Sequence, residues 1–222
     1  MSAAQAEEMV AACEDAGVLL QEAFMYRHHP TWVEALRLVR GGAIGSVQAI
    51  TSAFSYYNDD PANIRNQLDN GGGAVMDIGC YNINLSRLVF DAEPTTVRSA
   101  VRRDPVMGVD IVTSAVLGFP GGGQSSFTCS TRAEDYQRVL IHGTDGRIEI
   151  EIPFNIPPDT ETRIHITSNG ETSTVTFPAA DQYTIQAELF AGAILTGSTV
   201  APVPPRDAVA NMRVIEEVLA SS

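Results

Sequence analysis

The chain contains no lysine; all 14 of its Lys-plus-Arg residues are arginines. Chemistry that needs an amine, such as a Schiff base, a P-loop or a lysine-assisted hydride transfer, cannot be completed by these residues alone. Basic charge is scarce altogether, and 27 acidic residues bring the formal net charge to -13. A phosphate backbone or an anionic membrane calls for a dense basic face. Only Arg102-Arg103 sets two cations side by side, so neither nucleic acid nor membrane is expected as a partner. Cysteine is equally sparse: Cys13, Cys80 and Cys129 lie far apart without a CxxC. That pattern excludes a disulfide framework and suits a reducing cytoplasm. Of the four histidines, His28 and His29 diverge as neighbours while His142 and His165 stand alone. No metal site is expected from that spacing. No run approaches the ~20 apolar residues of a membrane span. Residues Met1–Glu8 have neither the basic nor the apolar region of a signal peptide.

What is present is an ordinary globular composition, 44% apolar and 18% charged over 222 residues, with ample material for a core. Ser2 is a good N-cap and Gly17 a good stop, so residues 3–16 read as a helix. The apolar run Val18–Met25 follows at once and reads as a strand buried in a parallel sheet. No strand precedes that helix, so the chain reads as starting in the middle of an α/β domain. Pro30 suits the first turn of a second helix that ends at Gly41-Gly42. Strand-like sequence runs from Ile44 to Tyr57, and a polar loop leads through Arg65 to a triple glycine.

From Thr95 to Phe177, alternating β-branched and polar segments are divided by Gly121–Gly123, Gly143–Gly146 and Ser168–Gly170. These read as successive antiparallel hairpins. Two helices, near Ile185–Thr196 and Arg206–Leu219, close the chain. The expected class is α+β, a large, mainly antiparallel open sheet with helices on one face. Segments such as Val112–Phe119 look apolar on both sides. A homodimer formed through the open sheet face is the natural consequence.

The stretch Gly71–Tyr81 carries the chemistry. A helix beginning after the three glycines sets Asp77 and Tyr81 one turn apart on one face. A carboxylate beside a phenol can serve proton exchange with a substrate oxygen, provided a cation lowers the phenol from its ordinary pKa near ~10. The bland alternative is a capping Asp and a core-edge Tyr. Arg27 and His29 follow the Phe24–Tyr26 segment at the edge where α/β sites form, and are candidates to face a ligand. Arg65, in the loop before the glycines, is a candidate clamp for an anionic or sugar-like group, and equally a salt-bridged surface arginine. The glycines could set helix amides against an anion or a flat ring, yet they lack the G-x-G-x-x-G pattern and its place after a strand.

Two blocks carry a family resemblance. Glu22-Ala23-Phe24-Met25-Tyr26-Arg27-His28-His29-Pro30 resembles the segment leaving the nucleotide-binding domain in the glucose–fructose oxidoreductase/inositol dehydrogenase (Gfo/Idh/MocA) family. Asn63-Ile64-Arg65 with Gly71–Tyr81 is similar to that family's "NIR … GGGxLxDIGxY" block, in the sugar-dehydrogenase and dihydrodiol-dehydrogenase branch. The resemblance implies an NAD- or NADP-dependent oxidoreductase acting on a sugar or related alcohol. Tyr81 would be the acid/base residue and Asp77 its partner; Arg27, His29 and Arg65, from their places in the chain, are the substrate-binding candidates. It further implies that residues 1–26 are the last helix and strand of a Rossmann domain, and 27–222 a substrate-binding and dimerisation domain. The dinucleotide fingerprint and the Glu-Lys-Pro motif are missing from the chain, so no cofactor is expected to bind it and it should be inactive alone. A non-catalytic dimeric module that binds a ligand or a protein is the alternative.

Overall fold

The computed structural model describes residues 1–221. Its centre is an eight-stranded sheet in the order β2-β3-β4-β1-β5-β6-β7-β8. The strands are β1 (Val47–Tyr57), β2 (Thr96–Arg103), β3 (Asp110–Gly118), β4 (Gln124–Ser130), β5 (Arg132–Gly143), β6 (Gly146–Ile150), β7 (Thr162–Ser168) and β8 (Glu171–Phe177). Every pairing is antiparallel except β1 with β4. The first strand in sequence therefore lies in the middle of the sheet, between β4 and β5. The hairpin turns fall where the glycines are. Asn169 and Gly170 both take positive φ between β7 and β8, as a two-residue hairpin turn of that kind requires.

Five α-helices accompany the sheet: α1 (Ala3–Ala16), α2 (Pro30–Arg40), α3 (Cys80–Phe90), α4 (Gln182–Leu195) and α5 (Arg206–Ala220). Ser2 caps α1 through its hydroxyl and Gly17 ends it at φ 64. Pro30 opens α2. Between the helices and one sheet face lies a continuous core containing Trp32, Ile50, Phe54, Ile83, Leu85, Leu117, Ile141, Ile148 and Val218. Trp32 is fully buried and donates its indole N–H to the Pro153 carbonyl at 2.5 Å, which satisfies its one polar atom.

One expectation needs correction. No strand forms at Val18–Met25: residues 18–24 have no regular structure and Met25–His28 is a 3-10 turn. A parallel strand exists only through its ladder partners, and none of the eight strands lies beside this segment. Instead, α1 is tied to α5 by Glu216 accepting from the Ala3 N–H at 2.8 Å, by Arg206 with Glu14 at 3.0 Å, and by an Arg213–Glu7 ion pair. The uncovered sheet face mixes hydroxyl and apolar side chains. Thr51, Ser114 and Thr128 are exposed there, and Val116 is 44% exposed. Alternation along β3 sends Ala115 and Leu117 inward and Val112, Ser114 and Val116 outward, so the strand carries apolar side chains on both faces, as its sequence led one to expect.

Candidate active site

The triple glycine does not lead straight into an α-helix. Val75–Gly79 forms a π-helical turn, and α3 follows from Cys80. The turn lies close to the sheet: a Cβ on Gly79 would stand 2.9 Å from the Cys129 sulfur of β4. Hydrogen bonding in such a turn lengthens to i→i+5, so a spacing of four no longer stacks side chains along one line. Asp77 and Tyr81 accordingly share no hydrogen bond, and each has its own partners.

Asp77 is held from two sides. Arg65 donates its Nε–H to Oδ1 at 2.8 Å, and the Tyr56 hydroxyl donates to Oδ2. Half of the Arg65 side chain remains exposed, so the rest of its guanidinium faces solvent. Burial, then the Asp77 carboxylate, pushes the Tyr56 phenol well above its ordinary pKa. Tyr56 is the residue that sequence reading missed. Its signal was the alternation of β1: Ile50, Ser52, Phe54 and Tyr56 share the face that meets the core.

Tyr81 sits in an aromatic box. Its ring centroid is 5.0 Å from that of Phe24, 5.8 Å from Phe54 and 5.6 Å from Phe154. Its hydroxyl meets only a weak partner, the Met25 sulfur at 3.7 Å. Burial, then the charges of Cys80, Tyr183, Asp77 and Glu22, raises the phenol far above its ordinary value. Tyr81 is therefore a neutral phenol at physiological pH. The cation that would make it a base is not among the groups acting on it.

The other two candidates lie elsewhere. Arg27 turns to Asp207 of α5 at 2.7 Å, and Asp207 also receives Asn84 and Arg87 at 3.1 Å each. His29 is fully buried; its Nδ1 accepts from the Thr31 N–H at 3.2 Å and caps α2. Burial lowers its pKa, so the ring stays neutral. The structure thus joins Asp77, Arg65 and Tyr56 by hydrogen bonds, sets Tyr81 just beyond the π-turn among Phe24, Phe54 and Phe154, and engages Arg27 with Asp207 and His29 with Thr31.

The glycine loop does not offer its leading amide to a dinucleotide phosphate. The first amide of the π-turn, Val75 N–H, is already taken by the Asp110 carboxylate at 2.9 Å. The anion at the glycine loop is the chain's own. Among the described residues no group of three or more His, Cys, Asp or Glu could hold a metal ion, and no helix is long and apolar enough to cross a membrane.

Comparison with known proteins converges on one family. The family model for the GFO/IDH/MocA C-terminal domain matches residues 32–149. An uncharacterised oxidoreductase of Rhizobium meliloti is 41% identical, over 95% of this chain and 64% of its own length. The NADP-dependent D-xylose 1-dehydrogenase 2 of Haloferax volcanii is 37% identical, over 99% of this chain and 68% of its own length. Among solved structures, the 3-ketoreductase KijD10 of Actinomadura kijaniata with NADP and TDP-benzene superposes with a TM-score of 0.89 at 26% identity. It is covered over 67% of its length by 99% of this chain. The chain thus spans about two thirds of the relatives it matches. It belongs to the GFO/IDH/MocA oxidoreductase family, with that family's C-terminal domain fold.

Proposed function

We propose that this chain is the substrate-side part of an NADP- or NAD-dependent oxidoreductase acting on a sugar or related alcohol or aldehyde. The observation that carries the reading is that one short segment, the π-turn and the start of α3, supplies both an arginine-anchored carboxylate and a partly buried phenol. Tyr81 hands its proton to a substrate oxygen as a carbonyl is reduced. Asp77 accepts from a substrate hydroxyl while Arg65 and Tyr56 hold it still. The exposed side of Arg65 receives a further oxygen. Arg27 and His29 support the Phe24–Tyr26 wall against which a sugar ring packs.

On this reading residues 1–26 belong to the edge of a nucleotide-binding domain, and 27–222 form the substrate-binding and dimerisation domain. Two copies associate through the Ser- and Thr-rich sheet face in the reducing cytoplasm, where Cys13, Cys80 and Cys129 stay as the free thiols they are here. The 222 residues supply no dinucleotide site and are inactive alone. The test is a fusion to the part of the Haloferax volcanii xylose dehydrogenase that the match leaves uncovered. Assayed with NADPH and a panel of aldoses and ketosugars, the fusion should turn over substrate and the unfused chain should not. Equal turnover by both would overturn the reading.

A further inference from the structure

We infer that Asp110 is a positioning residue for this site, an inference that rests on reading Asp77 and Tyr81 as its reacting side. Asp110 opens β3 and is 2% exposed. Its Oδ2 accepts from the Val75 N–H at 2.9 Å and from the Thr113 hydroxyl at 3.0 Å. A helical start leaves several N–H groups without intrahelical partners; here one is met by a carboxylate 35 residues downstream. The other oxygen lies against Gly73, where a Cβ would stand only 2.1 Å from Oδ1.

The glycine loop is gripped from its opposite side as well. Gly73 donates its N–H to the Arg65 carbonyl at 2.9 Å, and a Cβ on Gly72 would lie 2.6 Å from that same carbonyl oxygen. The contacts close a ring. It runs from Asp110 to Gly73 and Val75, along the π-turn to Asp77, across to the Arg65 side chain, and back through the Arg65 carbonyl to Gly73. Asp110 makes no hydrogen bond to Asp77 or Tyr81. It acts through the turn, referring the turn's position to an interior strand of the sheet. Burial raises the Asp110 carboxyl above its ordinary pKa, and the Val75 and Thr113 donors act against that rise. In sequence, an acid inside Val109-Asp110-Ile111-Val112 signals a buried carboxylate that must find donors.

The experiment is hydrogen exchange by NMR on the full chain and its Asp110→Asn, Asp110→Ala and Thr113→Val variants. In Asp110→Ala, exchange at Val75 N–H and at Arg65 Nε–H should rise about tenfold, while the Val139 and Ile148 amides stay within about twofold. Asp110→Asn keeps an acceptor for Val75 and should recover most of that protection. A merely structural role would raise exchange across the sheet together and gain nothing from the amide. Unchanged exchange at both reporters, or a uniform rise everywhere, overturns the inference. If Asp110→Ala does not fold, Thr113→Val decides: about a threefold rise confined to the same two sites supports the ring, and no local change refutes it. The readout needs no turnover, so it stands or falls separately from the role of Tyr81.

Discussion

Glu22 sits where the chain pays most for a charge. It lies in the irregular segment before the 3-10 turn, and its Oε2 is buried without a hydrogen-bond partner. Burial is the largest cause of its raised pKa. The Asp207 carboxylate adds to it, and Arg87 and Arg27 counter it, leaving the carboxyl at about 7 against an ordinary 4.5. The sign of the consequence follows from proton linkage. A carboxyl that binds its proton more tightly when folded stabilises the fold below pH ~4.5, and the advantage is lost as pH rises through about 7. At about 1.4 kcal/mol per pH unit, the ionised group costs about 3 kcal/mol at pH 8. Glu22→Gln removes the charge but keeps the shape. Allowing about 1 kcal/mol for an amide whose donors are only partly matched, the variant should be about 2 kcal/mol more stable than the parent chain at pH 8. For a domain of this size that is a Tm about 6 °C higher. At pH 4.5, where the ionisation penalty has largely vanished, that allowance dominates and the variant should melt about 2 °C below the parent. Thermal and urea denaturation of both at the two pH values is the assay. A variant destabilised at pH 8, and more so than at pH 4.5, would mean that Glu22 is a satisfied, ionised partner of Arg27 and Arg87, and would refute the reasoning.

Two further outcomes follow from the same geometry. Gly73→Ala places a methyl against Asp110 at a φ of 127, and should cost about 3 kcal/mol in urea denaturation; a neutral effect would mean the loop is not gripped as described. Titration calorimetry of NADP into the unfused chain should show no saturable binding, because Val75 N–H is already occupied and no fingerprint is present; stoichiometric binding would reveal a dinucleotide site in these residues.

Legibility from sequence tracked how local the determining physics was. Pro30 with Gly41, and the prolines before α5, mark helix ends by fixed φ or a missing N–H, and both helices fell where those signals put them. Asn169-Gly170 marks a turn for the same kind of reason. The central place of β1 was not legible, because its parallel pairing with β4 is decided by contacts more than seventy residues apart. Val18–Met25 misled because an apolar run shows burial without showing a ladder partner. The site was legible in its residues and not in its arrangement. Asp77 and Tyr81 do share one segment, but the spacing of four assumed an α-helical turn where Val75–Gly79 is a π-turn. Arg65 reached Asp77, one of the alternatives its loop position allowed. Tyr56 and Asp110 escaped notice because their roles depend on partners 21 and 35 residues away.

The central claim is that Tyr81 delivers the substrate-side proton. Its most direct test is kcat for sugar reduction by the nucleotide-domain fusion and by the same fusion carrying Tyr81→Phe. Because the hydroxyl's only hydrogen-bond partner among the described residues is the Met25 sulfur, the variant should fold with stability within about 1 kcal/mol of the parent. It should lose about 10²- to 10⁴-fold in kcat with little change in KM. Near-normal turnover in Tyr81→Phe would contradict the account.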